Sequence, residues 1–347
     1  MAKKPAYAAS RKDYKKNAAV RTGLISWFRE NGRDLPWRRT RDPWRILVSE
    51  VMLQQIQVAR AIPFYERFVR SFPTVGALAE APLAEAIRVW DDLGRYRRVV
   101  NLHRTARIVV EEHGGRIPAD PEVLVTLPGV GPYTAGAVAC FAFERDVSFF
   151  DTNMHRVLHR VYFGPEVPEP AAKPKELLAL AAGLVPAGEG WTWNQAVMEF
   201  GALQCTARNP RCDGCPVAGH CRAHPVMPEA LAAITRATKG EPGRRYEDSN
   251  RYLRGRVLAQ LRDTGPDGGL ELREIWDGLR RGGVDVEASR LWAAVRSLED
   301  DGLARTAPAG DPGAGPPAPR PAEAAAEERA AYGAEDGDLA RVRVALP

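Results

Sequence analysis

Residues 127–160 read LPGVGPYTAGAVACFAFERDVSFFDTNMHRVLHR, and the interpretation of this stretch decides the fold. Leu127-Pro128-Gly129-Val130-Gly131 places two glycines one residue apart, a composition that permits a tight turn with backbone N–H groups pointing outward. Thr134 then opens an apolar helix, AGAVACFAF. A turn that feeds a helix N-terminus can hold an anion such as phosphate by backbone donors and the positive end of the helix dipole. Downstream, Phe149-Phe150 gives way to Asp151, at an N-cap position before Asn153-Met154-His155-Arg156-Val157-Leu158, where a carboxylate is favoured by the helix terminus. The stretch therefore reads as a phosphate-gripping hairpin followed by a carboxylate delivered on a helix start. Taken alone, a GxG turn and a capping aspartate are ordinary structural features, so function must be argued from what surrounds them.

Working towards the N-terminus, ILVSEVMLQQIQVARAIPFYERF has helical apolar spacing and sets Glu50 among Leu47, Val48, Val51 and Leu53. A carboxylate in apolar company is expensive. Either Glu50 lies on a polar stripe, or it faces a cleft where partial burial raises its pKa towards that of a general acid. Before it, Val20, Leu24, Ile25 and Phe28 make an apolar helical face that Asn31-Gly32 stops, and the loop LPWRRTRDPW mixes Trp37 and Trp44 with Arg38, Arg39, Arg41 and Arg45. That mixture suits base stacking with phosphate contact, and equally the packing of a domain seam. Residues 73–143 form short helices with no strand-like alternation, and Arg95, Arg97, Arg98, Arg104 and Arg107 put positive charge on helix surface, as a nucleic-acid track or as a solvated face. Further helices follow at Pro170–Val185 and around Trp193–Phe200, so the core is all-α.

Four of the five cysteines crowd into a C-x6-C-x2-C-x5-C array, Cys205, Cys212, Cys215 and Cys221. Four thiolates this close can wrap a [4Fe-4S] cluster, one cysteine per iron. A four-cysteine zinc site pairs two short C-x2-C knuckles, of which one is present here, so the array favours the cluster. The fifth, Cys140, reads as a small buried hydrophobe. Past Pro225, ATKGEPGRRYEDSN reads as a linker; Tyr252–Leu261, Glu271–Leu279 and Glu287–Leu298 read as three helices, and GLARTA with DLARVRVAL as the two strands of a wing. Between those strands, 307–335 is Ala-, Pro-, Gly- and Glu-rich and is expected to be disordered.

The length of 347 residues allows two or three domains, and 45% hydrophobic residues can fill their cores. With 49 basic and 44 acidic residues the formal charge is +5, which permits a polyanionic partner without demanding one. The basic N-terminus MAKKPAYAASRKDYKK lacks an apolar segment, and no run approaches the roughly 20 apolar residues of a membrane span. A cytoplasmic, nucleoid-associated protein with no membrane partner is expected, its cysteines used for metal in a reducing compartment.

Together, LPGVGPYTAG, the Asp151 helix start, SEVMLQQ at 49–55 and the cysteine array resemble the helix-hairpin-helix (HhH-GPD) DNA glycosylases of the endonuclease III superfamily over roughly residues 20–224. Within it, LPWR at 35–38 and NQAVMEFGALQC at 194–205 are most similar to the adenine glycosylases of the MutY family, which remove adenine mispaired with guanine or 8-oxoguanine. The resemblance implies a monomer acting on double-stranded DNA with a mispaired or damaged base. It implies Glu50 as the acid that protonates the purine and helps place the water, and Asp151 as the carboxylate that stabilises the sugar cation. Bifunctional relatives carry a lysine where this chain has Tyr133, so base excision without an efficient lyase step is expected. Gln55 resembles the wedge that fills the gap left by a flipped base, with Gln54 beside it, and Trp37, Arg38 and Gln195 match positions near that base. The implied DNA contacts extend to Leu127, Gly129, Val130, Gly131 and Thr134, with room for a monovalent cation at the hairpin, and to Arg208 and Arg211 on a cluster-braced loop, Thr206 to Arg211.

Two departures stand out. Gly94-Arg95-Tyr96 replaces the family's Gly-Tyr-Tyr, whose first tyrosine stacks beside the oxidised guanine, and a winged-helix-like module stands where a Nudix-like domain is common. The expected organisation is a basic arm at 1–19 and a glycosylase core at 20–228, with a six-helix part at about 40–148 and an iron–sulfur part at 20–39 plus 149–228. A linker at 229–249 and the module at 250–347 complete it. Excision of thymine or uracil opposite guanine, and a non-catalytic iron–sulfur DNA-binding protein, are the alternative functions.

Overall fold

The computed structural model describes residues 11–166, 170–237, 245–265, 268–308 and 342–347. These fall into two compact units, the first built from residues up to 54 and from 116–242, the second from 55–115 and from 243 onward. In the first unit, helix α1 (Arg11–Asn31) precedes a 3-10 turn at Pro36–Arg39 and helix α2 (Pro43–Leu53). Asp42 caps α2 by accepting from the backbone N–H groups of Trp44 and Arg45, and Pro43 occupies the first turn, where its missing donor costs nothing. The unit resumes with α7 (Pro121–Leu124), α8 (Pro132–Phe143), α9 (Thr152–Tyr162), α10 (Pro174–Leu184), α11 (Gly190–Leu203) and α12 (Met227–Ala237). Helix α8 is buried on nearly every side, packs on α2 and forms the centre of this core; α11 is sandwiched between α1 and α9.

Two glycines set the closeness of that packing. A Cβ on Gly136 would lie 2.8 Å from the Cβ of Phe149, and one on Gly201 would lie 2.8 Å from the Cβ of Asn153. Both contacts fall on the segment that carries Asp151, so small residues on α8 and α11 seat the start of α9.

In the second unit, α3 (Val58–Ser71), α4 (Val75–Glu80), α5 (Leu83–Trp90) and α6 (Arg97–His113) form a helical layer, with α4 laid on α6 and capped by Thr74, whose hydroxyl accepts from the Ala77 N–H. The C-terminal part contributes α13 (Asn250–Arg262), β1 (Gly269–Glu271), α14 (Leu272–Arg281), α15 (Ala288–Asp300), β2 (Arg305–Pro308) and β3 (Val342–Ala345). The strands form one antiparallel sheet in the order β1-β3-β2, with Val344 opposite both Leu270 and Thr306. Three helices and a wing are as the sequence suggests; β1 adds a third strand, too short at three residues to show alternation.

The structure corrects several expectations. The arm expected at 1–19 is helical from Arg11, and Asn17 is already buried, where it accepts a hydrogen bond from the Tyr162 hydroxyl. The helix expected through ILVSEVMLQQIQVARAIPFYERF breaks between Leu53 and Val58, with Gln55 left-handed at φ 60°. Helix α12 runs to Ala237 into the expected linker, and its first turn packs Met227 and Ala230 with Ala223 against the cysteine segment. Arg98, expected on the surface, is buried with its guanidinium over the Trp90 ring. Packing divides the chain at Gln54 and Arg116, rather than near 40 and 148: α2 and α8, expected in the six-helix part, group with α9 and α11, because α8 packs on both α2 and α11. Of the insert expected at 307–335, residues 307 and 308 are in β2, and the remainder lies outside the described residues.

Candidate active site

Glu50 sits on the third turn of α2 and is only 5% exposed. Burial pushes its carboxyl up to about 7; the Tyr133 hydroxyl that hydrogen-bonds it and the Arg38 guanidinium oppose that rise, while Asp151 reinforces it. The elements place these groups in one neighbourhood: α2 supplies Glu50, the first turn of α8 supplies Tyr133, and the start of α9 supplies Asp151. Tyr133 stacks edge-on against Phe149, with ring centroids 5.5 Å apart, and its hydroxyl also lies 3.5 Å from the Met198 Sδ. Burial and the two neighbouring carboxyl groups raise the phenol's pKa well above its ordinary value, so it serves as a neutral hydrogen-bond donor.

Asp151 occupies the expected N-cap. Its Oδ1 accepts from the backbone N–H groups of Asn153 (2.9 Å) and Met154 (2.8 Å), and its Oδ2 accepts from the Asn153 Nδ2 (2.8 Å). Three donors hold an anion at a helix terminus whose own dipole favours it. The network continues: the Asn153 Oδ1 accepts from Arg156 at 2.9 Å, and the Arg156 guanidinium donates to the carbonyls of Gly201 (2.6 Å) and Cys205 (2.8 Å).

Arg38 and Gln195 meet directly, the Arg38 Nε donating to the Gln195 Oε1 at 2.8 Å, and Trp37, next to Arg38 in the sequence, is buried. The anchor of this cluster is Glu199, a residue the sequence reading passed over. Only 1% of its side chain is exposed, and it accepts from Arg33 at 2.7 Å and 2.9 Å and from Arg38 at 2.9 Å. Burial would raise its pKa, but hydrogen bonds from Arg33 and Arg38 prevail and hold it at about 2. A depressed carboxyl stabilises the fold above its unfolded value near 4.5, and this contribution disappears as pH falls towards about 2. Glu199→Gln is therefore expected to cost about 3 kcal/mol at pH 7, because it leaves two guanidinium groups short of their counter-charge. Chemical denaturation at pH 7 and pH 3 checks it: the difference from wild type should shrink at the lower pH, and an equal difference at both would exclude an ionic origin.

The hairpin is present between α7 and α8, with Gly129 at φ 76°. Leu127 and Val130 are buried, and their N–H groups bond within the turn, to Leu124 and Leu127 respectively. Among the described residues, no backbone carbonyl outside the helices accepts from the amides of Gly129 or Gly131. Thr134 is 2% exposed, and its hydroxyl accepts from the Gln54 Nε2 at 3.4 Å, so its side chain ties α8 to the end of α2. Arg208 and Arg211 are exposed on the loop after α11, whose Thr206 and Ala207 carbonyls accept from buried Arg160. Arg95 is exposed, and Tyr96 is half-buried in the second unit.

Cys205, Cys212, Cys215 and Cys221 line one cavity, closed by apolar Val161, Phe200, Val217 and Met227. Burial raises all four thiols, Cys215 to about 11, so they need a cationic guest to become thiolates. Four thiols around an apolar chamber, with the Arg160 guanidinium 3.6 Å from the Cys205 Sγ, fit a sulfur-ligated iron cluster. Cys140 is buried in α8, as expected of a small hydrophobe.

A family model of HhH-GPD superfamily base excision DNA repair proteins matches residues 48–182, and one of the iron–sulfur binding domain of endonuclease III matches residues 205–221. Fold and site thus define an HhH-GPD base-excision repair protein with an iron–sulfur cluster. Among relatives, the adenine DNA glycosylase of Mycolicibacterium smegmatis is 41% identical over 73% of this chain and 84% of its own length, that of Mycobacterium tuberculosis 42% over 70% and 78%, and that of Homo sapiens 40% over 67% and 44%. The chain belongs to the adenine DNA glycosylase family. Among solved structures, a thermostable thymine-DNA glycosylase superposes with a TM-score of 0.58 at 31% identity, covering 61% of this chain and 98% of the other. An endonuclease III–DNA complex shares the fold at a TM-score of 0.53 and 23% identity, with the same coverage. No described helix is long and apolar enough to cross a membrane.

Proposed function

We propose that the chain hydrolyses the N-glycosidic bond of adenine mispaired with guanine or 8-oxoguanine in double-stranded DNA, as a monofunctional glycosylase. The observation that carries this reading is a buried carboxyl, Glu50, hydrogen-bonded to Tyr133 beside the capped Asp151 carboxylate, where burial favours its protonated form. Glu50 delivers its proton to a ring nitrogen of the extruded purine. The glycosidic bond breaks with its electron pair leaving on the base, and the Asp151 carboxylate faces the sugar cation that forms. Water then adds to the anomeric carbon and returns its proton to Glu50. Two carboxyl groups in unlike surroundings take unlike roles.

Gln55 would fill the vacated stack; its left-handed backbone, unusual outside glycine, lifts it from the helical path of α2. Trp37, Arg38 and Gln195 would wall the base pocket, and Gly129 and Gly131 would offer their amides to phosphate, where a monovalent cation could share the turn. Cys205, Cys212, Cys215 and Cys221 would each hold one iron of a [4Fe-4S] cluster, which supplies a rigid, redox-capable brace for the loop bearing Arg208 and Arg211. The enzyme would act as a monomer in the cytoplasm, on nucleoid DNA.

Duplexes with A opposite G, A opposite 8-oxoguanine, T opposite G and U opposite G, treated with enzyme and then alkali, test the assignment: strand scission is expected in the adenine duplexes. Scission only at thymine or uracil would favour the second reading, which the thymine-DNA glycosylase likeness supports. A phenol forms no imine, so borohydride added during turnover should trap no protein–DNA adduct. An adduct visible on a denaturing gel would contradict the monofunctional assignment.

A further inference from the structure

We propose that Arg262, at the C-terminal end of α13, is a positioning residue for DNA binding: it clamps the Asp91–Tyr96 turn so that Arg95 meets duplex phosphate at a fixed place. This inference deepens the glycosylase reading above and rests on it. The turn is under backbone strain, with Asp91 at φ 53° and Arg95 at φ 51° flanking Gly94 at φ 75°. Side chains other than glycine hold such angles only where their surroundings impose them. Here the C-terminal part of the unit imposes them. The Arg262 guanidinium hydrogen-bonds the Tyr96 hydroxyl and pairs with the Asp91 Oδ1 at 3.2 Å, while only 12% of its side chain is exposed.

Further contacts flank that clamp. Arg88 donates to the Gly265 carbonyl at 2.8 Å, and Asp301 receives Arg97 at 3.3 Å on one side and Arg254 on the other. From within α6, Arg98 holds the turn's carbonyls, donating to Gly94 at 3.0 Å and Arg95 at 3.4 Å. The backbone of Arg95 is thus fixed from both sides, while its guanidinium is exposed. A cation displayed on a rigid turn loses little entropy when it meets a fixed anion. The winged-helix-like module is on this account part of the DNA grip, acting through α13 and the turn.

The test uses the full-length chain with its cluster and a duplex carrying a tetrahydrofuran abasic analogue. Dissociation constants are measured over a salt series for wild type, Arg95→Ala, Arg262→Ala, Tyr96→Phe and the Arg95/Arg262 double alanine variant. Arg95→Ala and Arg262→Ala should each weaken binding about tenfold and lower the salt slope by about one. Tyr96→Phe should weaken it by a smaller factor in the same direction. The double variant should bind no more weakly than Arg95→Ala, since both remove one contact. Unchanged affinity and slope for Arg262→Ala, or additive losses in the double variant, would overturn the proposal and leave the module as a docking face for another protein. Should Arg262→Ala fail to fold, Tyr96→Phe decides alone: an unchanged affinity sinks the clamp. Wild type that binds this duplex but excises no adenine would defeat the glycosylase reading while leaving the clamp standing.

Discussion

Asp151→Asn is expected to slow base excision about a thousandfold or more while leaving the fold intact. Asparagine caps a helix about as well as aspartate, so the bonds to the Asn153 and Met154 amides survive and α9 keeps its start. What disappears is the negative charge proposed to face the sugar cation, together with the acceptor that Oδ2 offers the Asn153 Nδ2. Aligned charge in a water-poor site is the costliest thing to remove from a reaction that generates a cation. Single-turnover excision with excess enzyme measures the loss, and a thermal melt checks the fold. A melt lowered by many degrees with residual activity near wild type would mean that Asp151 is only a cap.

Glu50→Gln should behave in the opposite way for stability. Its carboxyl is raised from 4.5 to about 7, so between those values the folded state holds a proton that the unfolded chain has lost. Stability therefore declines as pH rises through this window, and above about 7 the buried anion costs the fold about 3 kcal/mol. Glutamine is neutral at every pH and nearly isosteric. The variant should be more stable than wild type at pH 8, with the difference vanishing near pH 5, and should lose about a hundred- to ten-thousandfold in excision rate. Wild-type excision should itself fall as pH rises past about 7. Denaturant melts at both pH values, with a pH–rate profile, check both halves; equal stability of the two proteins at pH 8 would mean that Glu50 is not held neutral.

What the sequence made legible was chemistry confined to a short stretch. Asp151 could be read because an N-cap is defined by its own next few residues, and the cysteines because ligand spacing along one loop limits what they can wrap. Glu50 was visible as a carboxyl among apolar neighbours, although its choice between a polar stripe and a cleft was not. Glu199 escaped because its partners Arg33 and Arg38 lie 166 and 161 residues away, and nothing local marks an acid that pairs across such a gap. Asn153 and Arg156 carried a faint signal, lying two and five residues after Asp151, where one helical turn can link them. The break at Gln55 was hidden by an apolar period continuing on both sides of it, and the tie between Thr134 and Gln54 was hidden because a hydroxyl at a helix start looks the same whether it turns outward or towards a neighbouring helix. The tie between Arg262 and Tyr96 spans 166 residues and belongs to tertiary packing alone.

The central claim is that a neutral acid and a carboxylate share one site. It is tested most directly by a carbon-13 NMR titration of carboxyl-labelled glutamate in wild type, with Glu50→Gln identifying the resonance by its loss. The account predicts a Glu50 signal at the protonated position at pH 6, moving to the ionised position with a midpoint near 7. A signal already ionised at pH 5 would contradict it.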